Sequence, residues 1–205
     1  MQSRGIGHRF VEHILQDAAK AKIDVVGASF AASVELIQFW SKTNFQPMRL
    51  GIHHDEVSGS HAVMMLSALS DAGQRIVQQG HERFSQHWSL LLQQQFQHLQ
   101  SQLVVSLSQL LTSPVDVCSD SDSHELAVFA FKQRGFEFTQ IVLWQALSVW
   151  ITQPKFLSLS DQEQALCVML ILQQRSINEV VKALAYSGKA QLITALRQTI
   201  AKLLG

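Results

Sequence analysis

The run Gln2-Ser3-Arg4-Gly5-Ile6-Gly7 is the first stretch whose residue types and spacing could do chemistry. Its two glycines let the backbone approach a ligand closely, and an amphipathic pattern begins directly after it. A helix starting here points its first amides out of the loop, where they have no intrahelical acceptor. Those amides and the helix dipole favour negative charge, so a pyrophosphate is a natural guest. On spacing alone the run also reads as a glycine turn with no ligand. A second group is His53-His54-Asp55-Glu56. Its imidazoles are candidate general bases, and either carboxylate could orient them, although an exposed polar loop would look the same. A third group lies near the end. Arg175, Lys182, Lys189, Arg197 and Lys202 are balanced only by Glu179, a local excess suited to phosphate contact or to an ordinary solvated face.

Other chemistries find no support. The nine histidines form no Cys/His cluster, and His81 and His87 are six apart and so share no helix face, which argues against a metal site. There is no Gly-x-Ser-x-Gly nucleophile elbow and no Walker-type Gly-x-x-x-x-Gly-Lys-Ser/Thr run.

The elements that must position these groups follow from the pattern. After the glycine loop, Phe10, Val11, Ile14, Leu15 and Ala18 recur at helical spacing. Asp24 to Phe30 reads as a short strand, and Ser33 caps a helix carrying Leu36, Ile37, Phe39 and Trp40. Asn44 is its stop. Pro47–Ile52 and His61–Leu69 read as two strands joined by a polar loop, His53 to Ser60. A long helix then runs from Asp71 towards Leu99, through the glutamine-rich stretch Gln93 to Gln102. Ser101 to Leu111 forms another, and Thr112 to Ser123 is a linker. Helices follow at about 123–133, 138–152, 160–174, 176–185 and 187–204. Ser160-Asp161-Gln162-Glu163 and Ser176-Ile177-Asn178-Glu179 are both capping boxes. Trp88, Trp144 and Trp150 sit among apolar helical residues and are expected in the core.

The 205 residues carry 16 basic and 16 acidic side chains, so the net charge is zero and a polybasic nucleic-acid arm is excluded. Charged residues are 16%, below the roughly 25% of an average soluble protein, and 25 glutamines fill the gap. Apolar residues at 47% suffice for a sizeable core and exclude a disordered chain. Two cysteines, Cys118 and Cys167, are too few for a disulfide scaffold and are expected as reduced thiols. No apolar stretch reaches the roughly 20 residues of a spanning helix, and Met1 to Arg9 lacks a signal-peptide core. The expectation is a cytoplasmic protein without a membrane partner.

The order of loop, helix, strand, helix, strand, strand behind Gln-x-x-Gly-x-Gly resembles the second half of a GCN5-related N-acetyltransferase. Ala28-Ser29-Phe30, Glu35-Leu36 with Phe39-Trp40 and Phe45, Arg49-x-Gly51, Ser58-Gly59 and Leu69-Ser70-Asp71-Ala72-Gly73 are similar to one branch, the tRNA(Met) cytidine acetyltransferases. The resemblance spans essentially the whole chain, and its first 73 residues carry most of the specificity. It implies an α+β protein, with a partial N-acetyltransferase fold (mixed sheet with helices) over residues 1–70. An all-α tRNA-binding domain would occupy residues 71–205. It implies acetylation of the wobble cytidine N4 of elongator tRNA(Met) by acetyl-CoA. By the same resemblance, Gln2, Ser3, Arg4, Gly5, Ile6, Gly7 and His8 match the pyrophosphate loop, and Glu35 matches a cofactor-site position. Lys42 stands where the family is expected to have arginine, and lysine lacks the planar fork that grips phosphate in two places.

The family's enzymes begin with an ATP-dependent module and the first half of the acetyltransferase fold. This chain starts at the loop itself, so ATP is expected to act only in that module. The chain alone is expected to turn over little or no acetyl-CoA. The strand from Asp24 to Phe30 is expected to keep an unpaired edge and to promote self-association. Two alternatives stay open: a non-catalytic RNA-binding or interaction module, and a small-molecule N-acetyltransferase with a helical appendage.

Overall fold

The computed structural model describes residues 5–54, 59–113, 119–132 and 134–205, with the side chain of His54 left out. Gln2, Ser3, Arg4, Asp55, Glu56, Ser58 and Cys118 therefore lie outside the described residues. The chain divides into two units, one of residues 1–86 with 110–112, the other of residues 87–109 with 113–205.

The first unit is α+β. Helix α1 (Ile6–Lys20) leads into β1 (Val25–Ala31), then α2 (Val34–Ser41), β2 (Gln46–His54) and β3 (His61–Ala68). Helix α3 (Asp71–Gln94) starts in this unit and ends in the other. Ser33 caps α2 by accepting the Leu36 N–H at 3.3 Å. Asn44 sits at φ +64, the left-handed conformation that ends the helix region, as its small polar side chain tolerates. The sheet order is β1-β3-β2, and both pairings are antiparallel. β3 alternates buried His61, Val63, Met65 and Ser67 with more exposed neighbours, so one face covers the core. β1 lies at the sheet edge and has no outer partner among the described residues.

Where β1 meets α3, the packing leaves no room for a side chain. A Cβ on Gly73 would lie 2.0 Å from the Asp24 carbonyl oxygen. The same carbonyl accepts the Leu69 N–H at 2.9 Å. Ser70 Oγ donates to the Asp24 carboxylate and accepts the Gly73 N–H at 3.1 Å. The Leu69-to-Gly73 motif thus has a physical reason: a helix start pressed against a strand start.

The second unit is helical. It contains α4 (Ser101–Ser108), α5 (Asp120–Lys132), α6 (Gln140–Trp150), α7 (Asp161–Leu166), α8 (Ile177–Ala183) and α9 (Lys189–Leu204). Both capping boxes form as read, at Ser160/Glu163 and Ser176/Glu179. Trp88 and Trp150 are buried as expected, and Trp88 Nε1 donates to Ser108 Oγ at 2.8 Å.

Three expectations change. The long helix ends at Gln94 rather than near Leu99, and 95–100 form a turn in which Phe96 and Leu99 are buried. The polar run at 119–123 is not linker throughout. Asp120 to Ser123 form the first turn of α5, because Ser119 and Asp122 exchange capping hydrogen bonds of 2.8 to 3.2 Å. The helix after Ser160 is not α-helical to Gln174. It widens at Cys167–Leu172 into a π-helix, where all six side chains are buried, and the Gln173 N–H reaches back five residues to the Val168 carbonyl. Cys167 is a free thiol, and burial pushes its pKa well above the ordinary range, so it packs as a small apolar group.

Candidate functional site

Gly5 sits at φ +69, before the first turn of α1, and open space surrounds the position of its absent Cβ. Among the described residues no side chain caps this helix, and its first turn holds no acidic residue. The Arg9 N–H takes the Gly5 carbonyl at 3.1 Å, so the amides of Ile6, Gly7 and His8 have no acceptor within the helix. A 15-residue helix whose N-terminus has no side-chain cap among the described residues fits a pyrophosphate.

Aromatic packing fixes where that terminus points. A Cβ on Gly7 would meet the Phe39 ring at 3.0 Å, and the His8 ring makes an edge contact with Phe39 at 5.1 Å. Phe39 contacts Trp40, which stacks on Phe30 of β1 and meets Phe45 at 4.7 Å. Gly7 therefore serves close packing of α1 on α2, a role its sequence context did not reveal. Glu35 and Lys42 are both exposed. They stand four residues before and three after Phe39, on the same helix face, roughly 10 Å apart along the axis. The structure thus packs Gly7 and His8 of α1 against Phe39 of α2, the helix that also carries Glu35 and ends at Lys42. Gln2, Ser3 and Arg4 lie outside the described residues.

His53 and His54 need a correction. They are not in a loop but are the last two residues of β2, with His54 in register with His61. His53 is exposed, and the carboxylates expected to orient it, Asp55 and Glu56, fall outside the described residues. Two other histidines have structural partners. His61 Nδ1 donates to the Gly51 carbonyl at 2.7 Å, and buried His81 Nδ1 donates to the Pro47 carbonyl at 3.0 Å. Together they hold β2 at Gly51 and near its start at Pro47, and the second bond ties α3 to the sheet.

The basic cluster is already engaged within the helical unit. Arg175 Nε donates to the Gln97 carbonyl at 2.6 Å and to Gln173 Oε1 at 3.0 Å, and Nη2 to the Leu99 carbonyl at 3.2 Å. Arg197 donates to the Phe129 and Arg134 carbonyls and lies 4.4 Å from the centre of the Phe129 ring. Burial lowers the pKa of both guanidinium groups. Lys189 pairs with Glu137 at 2.7 Å and Lys202 with Glu163 at 2.5 Å. Burial opposes ionisation of Glu163, but hydrogen bonds from Lys202 and Ser160 overcome it and hold the carboxyl below its ordinary value. Lys182 is exposed, with no ion pair among the described residues. The five cations are spread over α8, α9 and the turn before α8.

Among the described residues no group of His, Cys, Asp and Glu could hold a metal ion, and no helix is long and apolar enough to cross a membrane.

Comparison with known proteins adds to this geometry. Residues 9–70 match a family model described as GNAT acetyltransferase 2, and residues 73–205 match one described as a tRNA-binding domain. The chain belongs to the tRNA(Met) cytidine acetyltransferase family. The protein of that name from Nitrosococcus halophilus is 32% identical over 98% of this chain. Its counterpart from Vibrio cholerae is 29% identical over 99%. The Pyrococcus furiosus protein is 31% identical over 39% of this chain, and the match takes in 10% of its own length. The chain spans about a quarter of the first two relatives, 27% of each. The boundary between the two family matches falls near residue 70, whereas the structural units divide inside α3, after Gln86.

Proposed function

We propose that these residues form the acetyl-CoA pyrophosphate half-site and the tRNA-binding part of a cytoplasmic tRNA cytidine N4-acetyltransferase. The observation that carries this reading is the start of α1, which has no side-chain cap among the described residues, with Gly5 in the left-handed conformation and three amides unpaired in the helix. The substrate assignment, the wobble cytidine of elongator tRNA(Met), rests on the family and on the names of the relatives. We place the functional division near residue 70 and ATP use outside these residues.

The chemistry sets what the chain must do. Acetyl-CoA supplies an acyl thioester, and cytidine N4 gains the acetyl group as it loses a proton. The N4 lone pair is delocalised into the ring, so the base has to be held out of its stack and aimed. On this reading the amides of Ile6, Gly7 and His8 hold the pyrophosphate, with Gln2, Ser3 and Arg4 completing the loop. Glu35 and Lys42 flank it from α2. His53 or His54 takes the N4 proton from the end of β2. Lys182, with Arg175, Lys189, Arg197 and Lys202, contacts tRNA phosphate.

Calorimetric titration with CoA tests the half-site. The chain should bind CoA, and Gly5→Asp should abolish binding by placing a carboxylate where the pyrophosphate sits. No binding to either protein favours a non-catalytic module. Equal binding to both refutes the placement. The open edge of β1, together with exposed Ile6, Phe10 and Ile14 along α1, further supports self-association. A monodisperse monomer by light scattering would remove that part of the reading.

A further inference from the structure

Two cavities in the helical unit share three lining side chains, Gln140, Trp144 and Gln174. The first, of about 320 Å³, also takes in Phe136 and Arg175. The second, of about 410 Å³, adds exposed Ile141. Both volumes fall in the roughly 300–1,000 Å³ range of small-ligand sites. Trp144 departs from the core role expected of it. It lines both cavities, and its indole N–H is one of two buried side-chain polar atoms without a hydrogen-bond partner among the described residues. Such orphaned donors are uncommon in native proteins. The backbone is unusual at the same place. The π-helical segment Cys167–Leu172 supplies Leu170 and Ile171 to the cavity wall, and Gln174 follows at φ +52, a conformation disfavoured for a residue with a side chain. Departures of both kinds cluster at functional sites.

The lining has a definite chemistry. An indole offers a stacking face, two amides each offer a donor pair and an acceptor, and a guanidinium stands at the margin. That set recognises an unstacked nucleobase: aromatic contact with the ring, amide hydrogen bonds to its edge, and a cation for the attached phosphate. The charge distribution points the same way. With Lys189 and Lys202 paired to carboxylates and the two arginines hydrogen-bonded to carbonyls, contacts that are not ionic must add to whatever phosphate contact these cations make.

We propose that this cleft receives one unstacked base of the bound tRNA. Trp144 is its platform, Gln140 and Gln174 read its edge, and Arg175 faces its phosphate. The proposal rests on the reading of this unit as tRNA-binding.

The test is fluorescence anisotropy with the complete chain and a labelled elongator tRNA(Met) transcript, repeated over a salt series. Gln140→Ala alters an exposed residue and should weaken binding roughly three- to tenfold, the loss of one or two hydrogen bonds. Trp144→Leu should weaken it about tenfold or more, as loss of a stacking platform does. In both variants the slope of log K against log salt should match the wild type, since no phosphate contact is lost. An unstructured oligoribonucleotide should compete for the site, and an RNA duplex of equal length should not. If the wild type binds and both variants stay within twofold, or the duplex competes equally, the cleft is refuted while tRNA binding stands. If the wild type does not bind the transcript, both readings fall. Gln140→Ala keeps the test valid should the Trp144 variant misfold.

Discussion

Gln173 is the position where one substitution should cost the helical unit most for its size. The side chain is fully buried, and its Nε2 donates to the carbonyls of Phe96 and Leu99, each at 2.8 Å. Its Oε1 accepts from Arg175 Nε at 3.0 Å. Gln173 and Arg175 together satisfy the turn that joins α3 to α4. Gln173→Leu keeps the volume and removes all three bonds. Phe96 O would retain the Leu99 N–H, and Leu99 O would retain Arg175 Nη2, so neither carbonyl is wholly orphaned. At about 1 kcal/mol net for each buried hydrogen bond, the loss is about 2–3 kcal/mol. For a chain of 205 residues, with about 2–4 °C per kcal/mol, the melting midpoint should fall by roughly 4–12 °C. Scanning calorimetry reads this directly. Arg175→Met measured alone and combined with Gln173→Leu closes a double-mutant cycle. The two should couple by about 0.5 kcal/mol or more, because they share a bond and an acceptor. A Gln173→Leu midpoint within 1 °C of wild type, or strictly additive effects, would refute the clamp.

Two further outcomes follow from packing and ionisation. Gly73→Ala should lower stability by about 1–3 kcal/mol despite the roughly 1 kcal/mol that alanine gains in helix propensity. The added methyl meets a backbone carbonyl at 2.0 Å, and denaturant titration showing equal or greater stability would rule that clash out. Glu163 is depressed below the ordinary glutamate value of 4.5, so its contribution is complete above that pH and is lost as pH falls through the lower, folded-state value. Glu163→Gln should therefore be less stable than wild type at pH 7 by roughly 1 kcal/mol or less, as expected of a surface ion pair. The gap should close below pH 4.5, and a gap that persists in acid melts would sink the assignment.

Local features of this chain were legible in its sequence because their partners are local. Ser160 and Glu163, Ser176 and Glu179, and Ser33 with the Leu36 amide each interact over three residues, and all three caps form. Asn44 and the alternating pattern of β3 belong to the same class. The end of α3 was not legible. Glutamine is a good helix former, and Phe96 and Leu99 continue the helical apolar pattern, so nothing nearby signals a stop. What holds the turn is Gln173, 77 and 74 residues away, in a chain where glutamine is too common to stand out. The role of Gly7 stayed hidden for a related reason: its partner, Phe39, belongs to another helix. His53 and His54 were misplaced because strand ends and loop starts share polar composition. The cluster at 175–202 was visible as charge, but its carbonyl and carboxylate partners at Gln97, Leu99, Phe129, Glu137 and Glu163 were not.

The internal engagement of those cations has a kinetic consequence. On the proposed tRNA-binding reading, a surface that pairs Lys189 and Lys202 with carboxylates and commits Arg175 and Arg197 to carbonyls steers polyanions weakly, so encounter with RNA would lie near the roughly 10⁵–10⁶ M⁻¹s⁻¹ of unsteered association. The same engagement would weaken capture by the bulk of cellular RNA, whose attraction is chiefly electrostatic. On that reading, selectivity in this part of the molecule is decided after contact, by how long a fitting RNA stays, rather than by how fast any RNA arrives.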